Sequence, residues 1–388
     1  MHKISALNKI SESGLSKFPE DYIITNDIES AEGILVRSHD MRDMEFSKNL
    51  LAIARAGVGV NNIPIDRCAQ EGIVVFNTPG ANANAVKELV LSGILLAARN
   101  LPAALEWTKS LTKNIASEVE KGKGQFAGNE IKGKTLGIIG LGYIGVSVAN
   151  TMEKLGMNVI GYDPFISVKA AHELSRKIPL VSDLGGLLPN CDYISIHVPA
   201  MESTKNMISE KEFAKMKPGV CLLNFARDLL VNDADLLAAI DAGIVKKYIT
   251  DFPNDTLHCK DGVVCLPHLG ASTEEAEEHC AVMAAEQLID YLENGNIANS
   301  VNYPKCNMGP LAQSAAAARV CILNKNMAGM LTRITGIFAN MNVNISDMVN
   351  KSKGDFSYTV LDVDTAIDCD QLRKELEFEG IIAVRILK

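Results

Sequence analysis

The sequence predicts an α/β protein with two doubly wound parallel-sheet domains followed by a smaller C-terminal unit. Three features indicate this fold class. Short β-branched strands alternate with helical patterns over most of the 388 residues, which is typical of strand–helix–strand crossover units. Residues 299–310 then hold two Pro, three Asn and one Gly, which indicates a linker. The segment after this linker has the order βαββαβ.

The first predicted sheet lies in the N-terminal part of the chain. Residues 34–36, 51–54 and 73–76 are short β-branched runs, spaced as strands joined by crossover connections. Residues 86–98 repeat apolar side chains at helical spacing. These patterns together predict parallel strands with crossover helices.

A second sheet is predicted from residue 135 onward. Its candidate strands are residues 136–139, 158–162, 193–196, 220–223 and 263–266. Residues 272–275 (STEE) have the pattern of a capping box. This box predicts the start of a long helix that ends at Gly295.

The C-terminal unit is predicted to be an antiparallel sheet with two helices on one face. Its strands are expected at residues 319–323, 355–360 and 381–387, and its helices at 329–341 and 371–378.

Composition argues against several classes of function. The formal net charge is −9 and no basic stripe occurs, so a nucleic-acid partner is not expected. The nine cysteines form no Cys-x-x-Cys pair and no zinc-like spacing, which predicts free thiols in a reducing cytoplasm and no metal. Residues 1–10 lack the apolar run of a signal peptide, and the apolar residues 89–98 are too few to cross a membrane.

Residues 135–163 form a candidate dinucleotide-binding unit. A strand precedes Gly140-x-Gly142-x-x-Gly145, a helical pattern follows, and a second strand ends at Asp163. The glycines would allow a tight turn, close approach of a pyrophosphate and close helix packing, and the helix N-terminus would offer amides to the phosphates. A carboxylate at Asp163 would bind the ribose hydroxyls and repel a 2′-phosphate, which predicts NAD rather than NADP. The alternative is an ordinary glycine-rich turn.

Polar residues follow three strands of the second sheet. They are Arg227, Asp251, Asp255 and His268. Ligands bind at the carboxyl ends of parallel strands, so these side chains are expected to converge. A neutral imidazole can take the hydroxyl proton of a 2-hydroxy acid, a carboxylate can orient the ring, and a guanidinium can bind the substrate carboxylate. The alternatives are a surface ion pair for Arg227 and a loop cap for His268.

Seven segments resemble, in order, those of the D-isomer specific 2-hydroxyacid dehydrogenase family. They are residues 55–63 (RAGVGVNNI), 77–80 (NTPG), 136–145 (LGIIGLGYIG), 162–164 (YDP), 197–199 (HVP), 224–227 (NFAR) and 267–276 (PHLGASTEEA). The resemblance implies two Rossmann-like domains with a cleft between them, the first of which is discontinuous. The implied divisions are residues 1–96 with 281–303 for substrate binding, 97–280 for NAD binding, a linker at 304–317, and a regulatory unit at 318–388.

The same resemblance implies roles for individual residues. His268 would be the acid/base residue, and Arg227 would bind the carboxylate and carbonyl of the substrate. The amides of Val58 and Gly59 would also hold that carboxylate. Besides the glycine loop and Asp163, the implied cofactor contacts are Tyr143, Ile144, His197, Pro199, Ala226 and Asp251.

Two positions depart from the family pattern. Where the family usually has Arg-Gly, this sequence has Arg227-Asp228, which puts a carboxylate next to the substrate-binding cation. The family also uses a Glu in a segment resembling Asp-Val-Phe-x-x-Glu-Pro, whereas residues 251–256 here are DFPNDT. Asp255 is the candidate replacement for this Glu, although it is one methylene shorter and needs a one-residue deletion in the alignment.

Further cations indicate a phosphorylated substrate. Arg37 and Ser38 match a phosphate-binding position of family members that act on phosphorylated acids, and Arg55 lies near the carboxylate loop. The alternative for each Arg is a solvated surface residue. The leading hypothesis is NAD-dependent oxidation of 3-phosphoglycerate to 3-phosphohydroxypyruvate. The alternatives are a glyoxylate or hydroxypyruvate reductase and an NAD(H)-sensing corepressor or scaffold without turnover.

The C-terminal unit resembles an ACT domain, a ferredoxin-like fold that commonly binds amino acids between two copies. Asn326 and Asn344 match effector-binding positions, and Asn324 stands where a His is often found. The resemblance implies L-serine as the candidate effector and a homodimer or homotetramer. The alternative is that these Asn side chains only support turns.

Overall fold

The computed structural model describes all 388 residues, with fifteen strands and thirteen α-helices. The strands are β1 (His2–Leu7), β2 (Tyr22–Thr25), β3 (Gly33–Val36), β4 (Ala52–Arg55), β5 (Val74–Phe76), β6 (Thr135–Ile139), β7 (Asn158–Tyr162), β8 (Tyr193–Ile196), β9 (Val220–Asn224), β10 (Val245–Thr250), β11 (Val263–Cys265), β12 (Ala318–Lys325), β13 (Ile345–Lys353), β14 (Phe356–Val363) and β15 (Ile381–Leu387).

The helices connect these strands. They are α1 (Glu12–Leu15), α2 (Ile65–Gln70), α3 (Ala83–Ala98), α4 (Leu101–Ser110), α5 (Ile115–Gly122), α6 (Tyr143–Lys154), α7 (Val168–Glu173), α8 (Leu184–Leu187), α9 (Glu210–Phe213), α10 (Asp233–Asp241), α11 (Glu274–Asn294), α12 (Met330–Asn340) and α13 (Cys369–Glu375).

The chain forms two compact units. The first unit comprises Met1–Ala81 with Glu277–Lys388, and the second comprises Asn82–Ala276. Each unit contains one parallel sheet, and the first also contains an antiparallel sheet near its C-terminus. The predicted fold class is therefore confirmed.

The parallel sheet of the first unit has the strand order β2-β1-β3-β4-β5. Strands β3, β4 and β5 lie within one residue of their predicted bounds. Strands β1 and β2 were not predicted. Two residues of β1 and one of β2 are buried. The polar residues His2, Lys3 and Ser5 interrupt the apolar pattern of β1, whereas β2 contains the short apolar run Tyr22–Ile24.

The parallel sheet of the second unit has the strand order β11-β10-β9-β8-β6-β7. Strand β6 pairs with β7 on one side and with β8 on the other. The connections therefore run in opposite directions from β6, and such a reversal opens a crevice at the carboxyl ends of the strands. The glycine loop follows β6 and lies at this point.

Helix α3 belongs to the second unit, although the predicted domain boundary at residue 96 put most of it in the first. Its apolar residues Val86, Val90 and Ile94 are buried in the same core as Leu223 and Phe225 of the second unit. The structure therefore divides the chain after Ala81 and Ala276, because α3 packs on the nucleotide-binding sheet.

Helix α11 starts at Glu274, but the predicted capping box is not formed. Thr273 is the residue before the helix, and its Oγ1 accepts the N–H of Ala276 at 3.1 Å. A capping box needs Glu or Gln at this third helical position, and Ala276 has no side chain that can complete it. The helix therefore starts one residue later than the STEE pattern predicted, with a single side-chain cap.

The C-terminal sheet is antiparallel with the order β13-β14-β12-β15. Helices α12 and α13 cover one face, where Ile334, Phe338 and Leu372 are buried against Val320 and Leu361. On the other face, Leu323, Tyr358 and Val360 belong to the core that contains α11 and the first parallel sheet. This sheet is thus part of the first unit; its central strands β12 and β14 are buried, whereas most residues of the edge strand β13 are exposed.

No single helix is long and apolar enough to cross a membrane. One pair, Ala83–Ala98 with Leu101–Ser110, meets the length and composition requirements jointly, but it is bent by 65° at its break.

Candidate active site

The glycine loop in the second unit has the geometry that a dinucleotide requires. Gly140 has φ +94°, and a side chain on it would lie 2.8 Å from the backbone of His197. A side chain on Gly145 would collide with the carbonyl oxygen of Gly140, which shows how closely α6 packs on this turn. Space beside Gly142 is open to 4 Å, and no side chain caps the first amides of α6. A pyrophosphate fits this cradle of free amides.

Asp163, the residue after β7, is hydrogen-bonded to the glycine loop. Its Oδ2 accepts the N–H of Leu141 at 2.8 Å, and its Oδ1 accepts the N–H of Phe165 at 2.8 Å. The carboxylate thus ties the end of β7 to the glycine loop and places a negative charge beside it. That charge disfavours a 2′-phosphate, in agreement with NAD as the cofactor.

His197 follows β8 and lies behind the glycine turn. Its Nε2 is 2.9 Å from the hydroxyl of Ser195. Burial lowers the pKa of His197 to about 4, so the ring is neutral at physiological pH. Pro199, two residues further on, is exposed. A neutral imidazole at this position adds no positive charge next to the loop.

Arg227 is held through its backbone by Asn224, the last residue of β9. The fully buried Asn224 accepts the N–H of Ala226 at 3.1 Å through Oδ1 and donates Nδ2 to the carbonyl of Arg227 at 2.8 Å. The Tyr248 hydroxyl lies 3.1 Å from the same Nδ2. Asn224 was not among the predicted site residues; the signal that points to it is an amide at the end of a fully apolar strand.

His268 lies in the loop between β11 and α11, and its side chain is exposed. Its ring packs against Phe252, with ring centroids 4.8 Å apart and planes inclined by 56°. Asp251, the residue before Phe252, is 1% exposed and accepts the N–H of Gly270 at 2.9 Å. The loop that carries His268 is therefore attached to the end of β10.

The two acidic residues at the departures from the family pattern are both exposed. Asp255 lies in a turn that Asn254 stabilises by accepting the N–H groups of Thr256 and Leu257, each at 3.0 Å. The Asp255 carboxylate makes no hydrogen bond or ion pair, and its role as the partner of His268 stays a prediction. Asp228 makes no ion pair with Arg227 either.

The predicted substrate residues of the first unit lie at the ends of β3 and β4: Arg37 and Ser38 follow β3, and Arg55 is the last residue of β4. Arg37 forms an ion pair with Glu277 at 2.7 Å, and Arg55 donates Nε to the Arg37 carbonyl at 3.1 Å. The backbone amide of Ser38 donates to Asn8 at 3.1 Å. The two guanidinium-bearing residues are thus neighbours, which suits an anionic group.

The carboxylate loop at Val58 and Gly59 is supported by Asn77. Nδ2 of Asn77 donates to the Val58 carbonyl at 2.8 Å, and the Asn77 carbonyl accepts from Gln287 of α11 at 2.9 Å. Asn77 and Gln287 were not predicted as site residues. Asn77 lies in the NTPG segment, but nothing local in the sequence shows that its side chain reaches the loop.

The three predicted effector residues differ in environment. Asn324 is buried, and its Oδ1 has no hydrogen-bond partner. Asn326 donates to the Gly354 carbonyl at 3.1 Å, and Asn344 donates to Asp364 at 2.6 Å. Asn324 and Asn326 lie at the same end of β12, whereas Asn344 precedes β13. Their effector role stays a prediction.

Comparisons with known proteins agree with this geometry. The NAD binding domain of the D-isomer specific 2-hydroxyacid dehydrogenases matches residues 91–270, and the AHAS small subunit-like ACT domain matches residues 321–382. The D-3-phosphoglycerate dehydrogenase of Escherichia coli K12 is 33% identical over 377 residues, which cover 92% of this chain and 86% of that protein. The Haemophilus influenzae enzyme of the same name is 32% identical over 375 residues, with the same coverage.

A solved structure is similar as well. The NAD⁺-bound 3-phosphoglycerate dehydrogenase of Entamoeba histolytica has a TM-score of 0.61 and 27% identity, covering 78% of this chain and 98% of that one. The family model and the similar proteins show that the chain is a NAD-dependent oxidoreductase. The chain belongs to the D-isomer specific 2-hydroxyacid dehydrogenase family, in the group of the D-3-phosphoglycerate dehydrogenases with an ACT domain. NAD is its cofactor, as predicted.

Proposed function

We propose that this chain oxidises 3-phosphoglycerate to 3-phosphohydroxypyruvate with NAD, the step that opens phosphorylated L-serine synthesis. The observation that carries this proposal is similarity to D-3-phosphoglycerate dehydrogenases over nine-tenths of the chain. The strand-end positions of Arg227 and His268 in the NAD-binding unit support it, because ligands bind there in parallel sheets.

The chain's own residues account for cofactor binding. The free amides at the start of α6 would hold the pyrophosphate, and Asp163 would accept hydrogen bonds from the adenosine ribose. Tyr143, Ile144, His197, Pro199, Ala226 and Asp251 stay predicted contacts. When bound, NAD supplies the acceptor for the hydride that leaves C2 of the substrate.

The proton leaves through His268. A neutral imidazole nitrogen accepts the proton of the C2 hydroxyl as the C–H bond breaks, and the C2–O bond becomes a carbonyl. In the reverse direction the protonated ring returns that proton. Arg227 binds the substrate carboxylate and polarises the carbonyl oxygen, since a guanidinium donates two parallel hydrogen bonds to such groups.

The substrate phosphate requires cations of the first unit. Arg37 and Arg55 are the proposed ligands, with the amides of Val58 and Gly59 for the carboxylate and Ser38 as a further donor. Arg37 has a carboxylate partner, Glu277, and both side chains are about one-third or more exposed (36% and 42%). A phosphate dianion can therefore replace this ion pair at little cost.

Two other functions fit less well. Solved glyoxylate reductases share the fold at 22% identity, but that similarity extends to the fold alone. A corepressor or scaffold without turnover has no need for Arg227 and His268 at the strand ends. Both alternatives lack the chain-long similarity that supports the dehydrogenase.

Arg37→Ala tests the proposed substrate. We expect kcat/KM for 3-phosphoglycerate to fall at least about tenfold, because a charged hydrogen bond to phosphate is lost. Activity on unphosphorylated D-glycerate should not change. Arg42→Ala is the matched control, since Arg42 is 66% exposed and pairs only with Asp40. An equal loss of kcat/KM for 3-phosphoglycerate and for D-glycerate in Arg37→Ala would argue for the glyoxylate or hydroxypyruvate reductase instead.

Regulation, assembly and location extend the proposal. The ACT match supports a small-molecule effector, for which L-serine is our candidate. The proposed assembly is a homodimer or homotetramer. All nine cysteines are free thiols, and most are buried, which supports a reducing cytoplasm. Cys259 is exposed.

A further inference from the structure

We propose that Asn77 is a positioning residue for the substrate carboxylate: it orients the peptide groups of the carboxylate loop so that the amides of Val58 and Gly59 are left free for that carboxylate. Gln287 of α11 in turn holds Asn77. All of these residues belong to the first unit. The inference rests on the proposed function, because it concerns the carboxylate subsite of that reaction.

The first argument is the direction of the carbonyl groups in the loop. The N–H of Thr78 donates to the Gly57 carbonyl at 3.1 Å. Nδ2 of Asn77 donates to the next carbonyl, that of Val58, at 2.8 Å. Two adjacent residues of the segment after β5 therefore hold two consecutive carbonyl groups of the loop, and both carbonyls point towards this segment.

The second argument is the planarity of the peptide group. In the trans peptides of this loop, each C=O shares one plane with the N–H of the next residue and points in the opposite direction. The Gly57 carbonyl shares its peptide with the Val58 N–H, and the Val58 carbonyl shares its peptide with the Gly59 N–H. Both amides are therefore directed away from Asn77.

The third argument is that both amides are free. Neither the Val58 nor the Gly59 N–H donates a hydrogen bond within the chain, whereas the N–H of Ala56 donates to the Val36 carbonyl at 2.8 Å. Val58 and Gly59 are also only partly exposed. Successive backbone N–H groups that face one side form an anion-binding concavity, so a carboxylate suits this position.

The fourth argument is the support of Asn77 itself. Gln287 is 7% exposed and donates Nε2 to the Asn77 carbonyl at 2.9 Å. The N–H of Asn77 donates to the Asn299 carbonyl at 3.2 Å. Asn77 is thus hydrogen-bonded through its side chain, its N–H and its carbonyl. A loop that is held in one arrangement before the substrate binds loses less entropy on binding.

This arrangement acts on substrate binding rather than on the chemical step. The carboxylate has the same charge in the hydroxy acid and in the keto acid, so the two amides bind it equally before and after hydride transfer. An interaction that is equal in the ground state and the transition state changes KM and leaves kcat unchanged. Every 2-hydroxy acid carries this carboxylate, whereas Arg37 concerns phosphorylated substrates alone.

Asn77→Ala tests the proposal, because it removes the donor to the Val58 carbonyl. We expect KM for 3-phosphoglycerate and KM for D-glycerate to rise about tenfold each, the scale of one hydrogen bond to a charged group. The kcat values, and the NADH dissociation constant from fluorescence titration, should change less than about threefold. Binding of D-glycerate to the NADH complex, measured by calorimetry, tests the subsite without turnover and should weaken by the same factor as KM.

Two further variants accompany this test. Gln287→Met keeps the volume of the side chain but cannot donate to Asn77, and it should raise both KM values about threefold. Asn49→Ala is the matched control, because Asn49 is exposed and likewise donates Nδ2 to a backbone carbonyl, that of Glu29 at 3.1 Å. Neither KM should change in this control.

Unchanged KM values for both substrates in Asn77→Ala would overturn the proposal. A rise for 3-phosphoglycerate alone would also overturn it, because that result would assign Asn77 to the phosphate group. If Asn77→Ala does not fold, the same comparison in Gln287→Met decides. A wild-type protein that binds D-glycerate in the calorimeter but oxidises no 2-hydroxy acid would reject the proposed function and not the carboxylate subsite.

Discussion

At the residue scale, the proposed proton step depends on one exposed imidazole, that of His268. His268 is the single histidine in the loop between β11 and α11, and Asp251 and Phe252 hold that loop in place. Arg227 is the proposed substrate-binding cation, and Asn224 at the end of β9 donates a hydrogen bond to its backbone carbonyl. The supporting contacts of His268 and Arg227 therefore come from residues for which the sequence alone did not predict a supporting role.

His268→Ala tests the assignment of the acid/base residue. We expect kcat in the NAD-coupled assay to fall at least about a hundredfold, which is the usual contribution of a general base. His258→Ala is the matched control, because His258 is exposed and its side chain makes no hydrogen bond. Retained turnover in His268→Ala, with the control unchanged, would reject the assignment.

The sequence predicts some of these residues better than others. The strand, turn and helix around the glycine loop could be predicted because they are contiguous in the chain, whereas the cofactor contacts of the loop and of Asp163 stay predictions. Asp251 was predicted only as a cofactor contact. Its hydrogen bond to Gly270 joins residues 19 positions apart, and no local pattern shows such a contact.

At the element scale, the C-terminal end of α11 is capped by the antiparallel sheet. Arg319 donates to the Asn294 carbonyl at 2.9 Å, Arg385 donates to the Leu292 carbonyl at 2.8 Å, and the Tyr358 hydroxyl donates to the Gly295 carbonyl at 2.6 Å. The last carbonyls of a helix lack partners within it, and cations stabilise them. The sheet is therefore fastened to the helix by polar groups as well as by packing.

Asp362→Asn tests this attachment. Arg319 is fully buried and pairs with Asp362 at 2.6 Å, so loss of the carboxylate leaves a buried cation without a counter-charge. We expect the free energy of unfolding, measured with urea, to fall by about 3 kcal/mol. Asp370→Asn is the control, since that carboxylate is 97% exposed and should matter little. Equal stability of both variants would show that the pair does not hold the sheet.

The same pair predicts a pH dependence. Burial alone would raise the pKa of the Asp362 carboxyl, but the hydrogen bond and charge of Arg319 outweigh it, and the pKa is lowered. A carboxyl with a lowered pKa in the folded protein stabilises the fold above its unfolded pKa of about 4. This contribution is lost as the pH falls further. The free energy of unfolding at acidic pH should therefore depend less on pH in Asp362→Asn than in the wild type.

Elements were predicted unevenly for physical reasons. Strands β7, β8 and β15 have their predicted bounds, because β-branched or aromatic residues flanked by turns specify them. Strand β1 was not predicted because His2, Lys3 and Ser5 interrupt its apolar pattern. The apolar run Tyr22–Ile24 of β2 was missed, although it is a strand signal. The start of α11 was predicted one residue early, since both Ser272 and Thr273 can cap a helix and only tertiary context decides between them.

At the scale of the whole molecule, the proposed site residues are distributed over the two units. The second unit carries the NAD-binding sheet with Arg227 and His268, and the first carries the Arg37 and Arg55 pair and the ACT sheet. The discontinuous first unit was predicted through family resemblance. That α3 belongs to the second unit could not be predicted, because its apolar stripe shows that one face is buried but not which sheet covers it.

The most direct test of the account is the rate of NADH formation from 3-phosphoglycerate by the purified full-length chain. A reagent that traps the product's carbonyl group, such as hydrazine, should be added to remove 3-phosphohydroxypyruvate and draw the reaction forward. The account predicts saturable NADH formation with NAD, a kcat/KM at least about tenfold lower with NADP because Asp163 disfavours a 2′-phosphate, and little activity on D-glycerate. NADH binding without turnover of 3-phosphoglycerate, or an equal rate with D-glycerate, would contradict it.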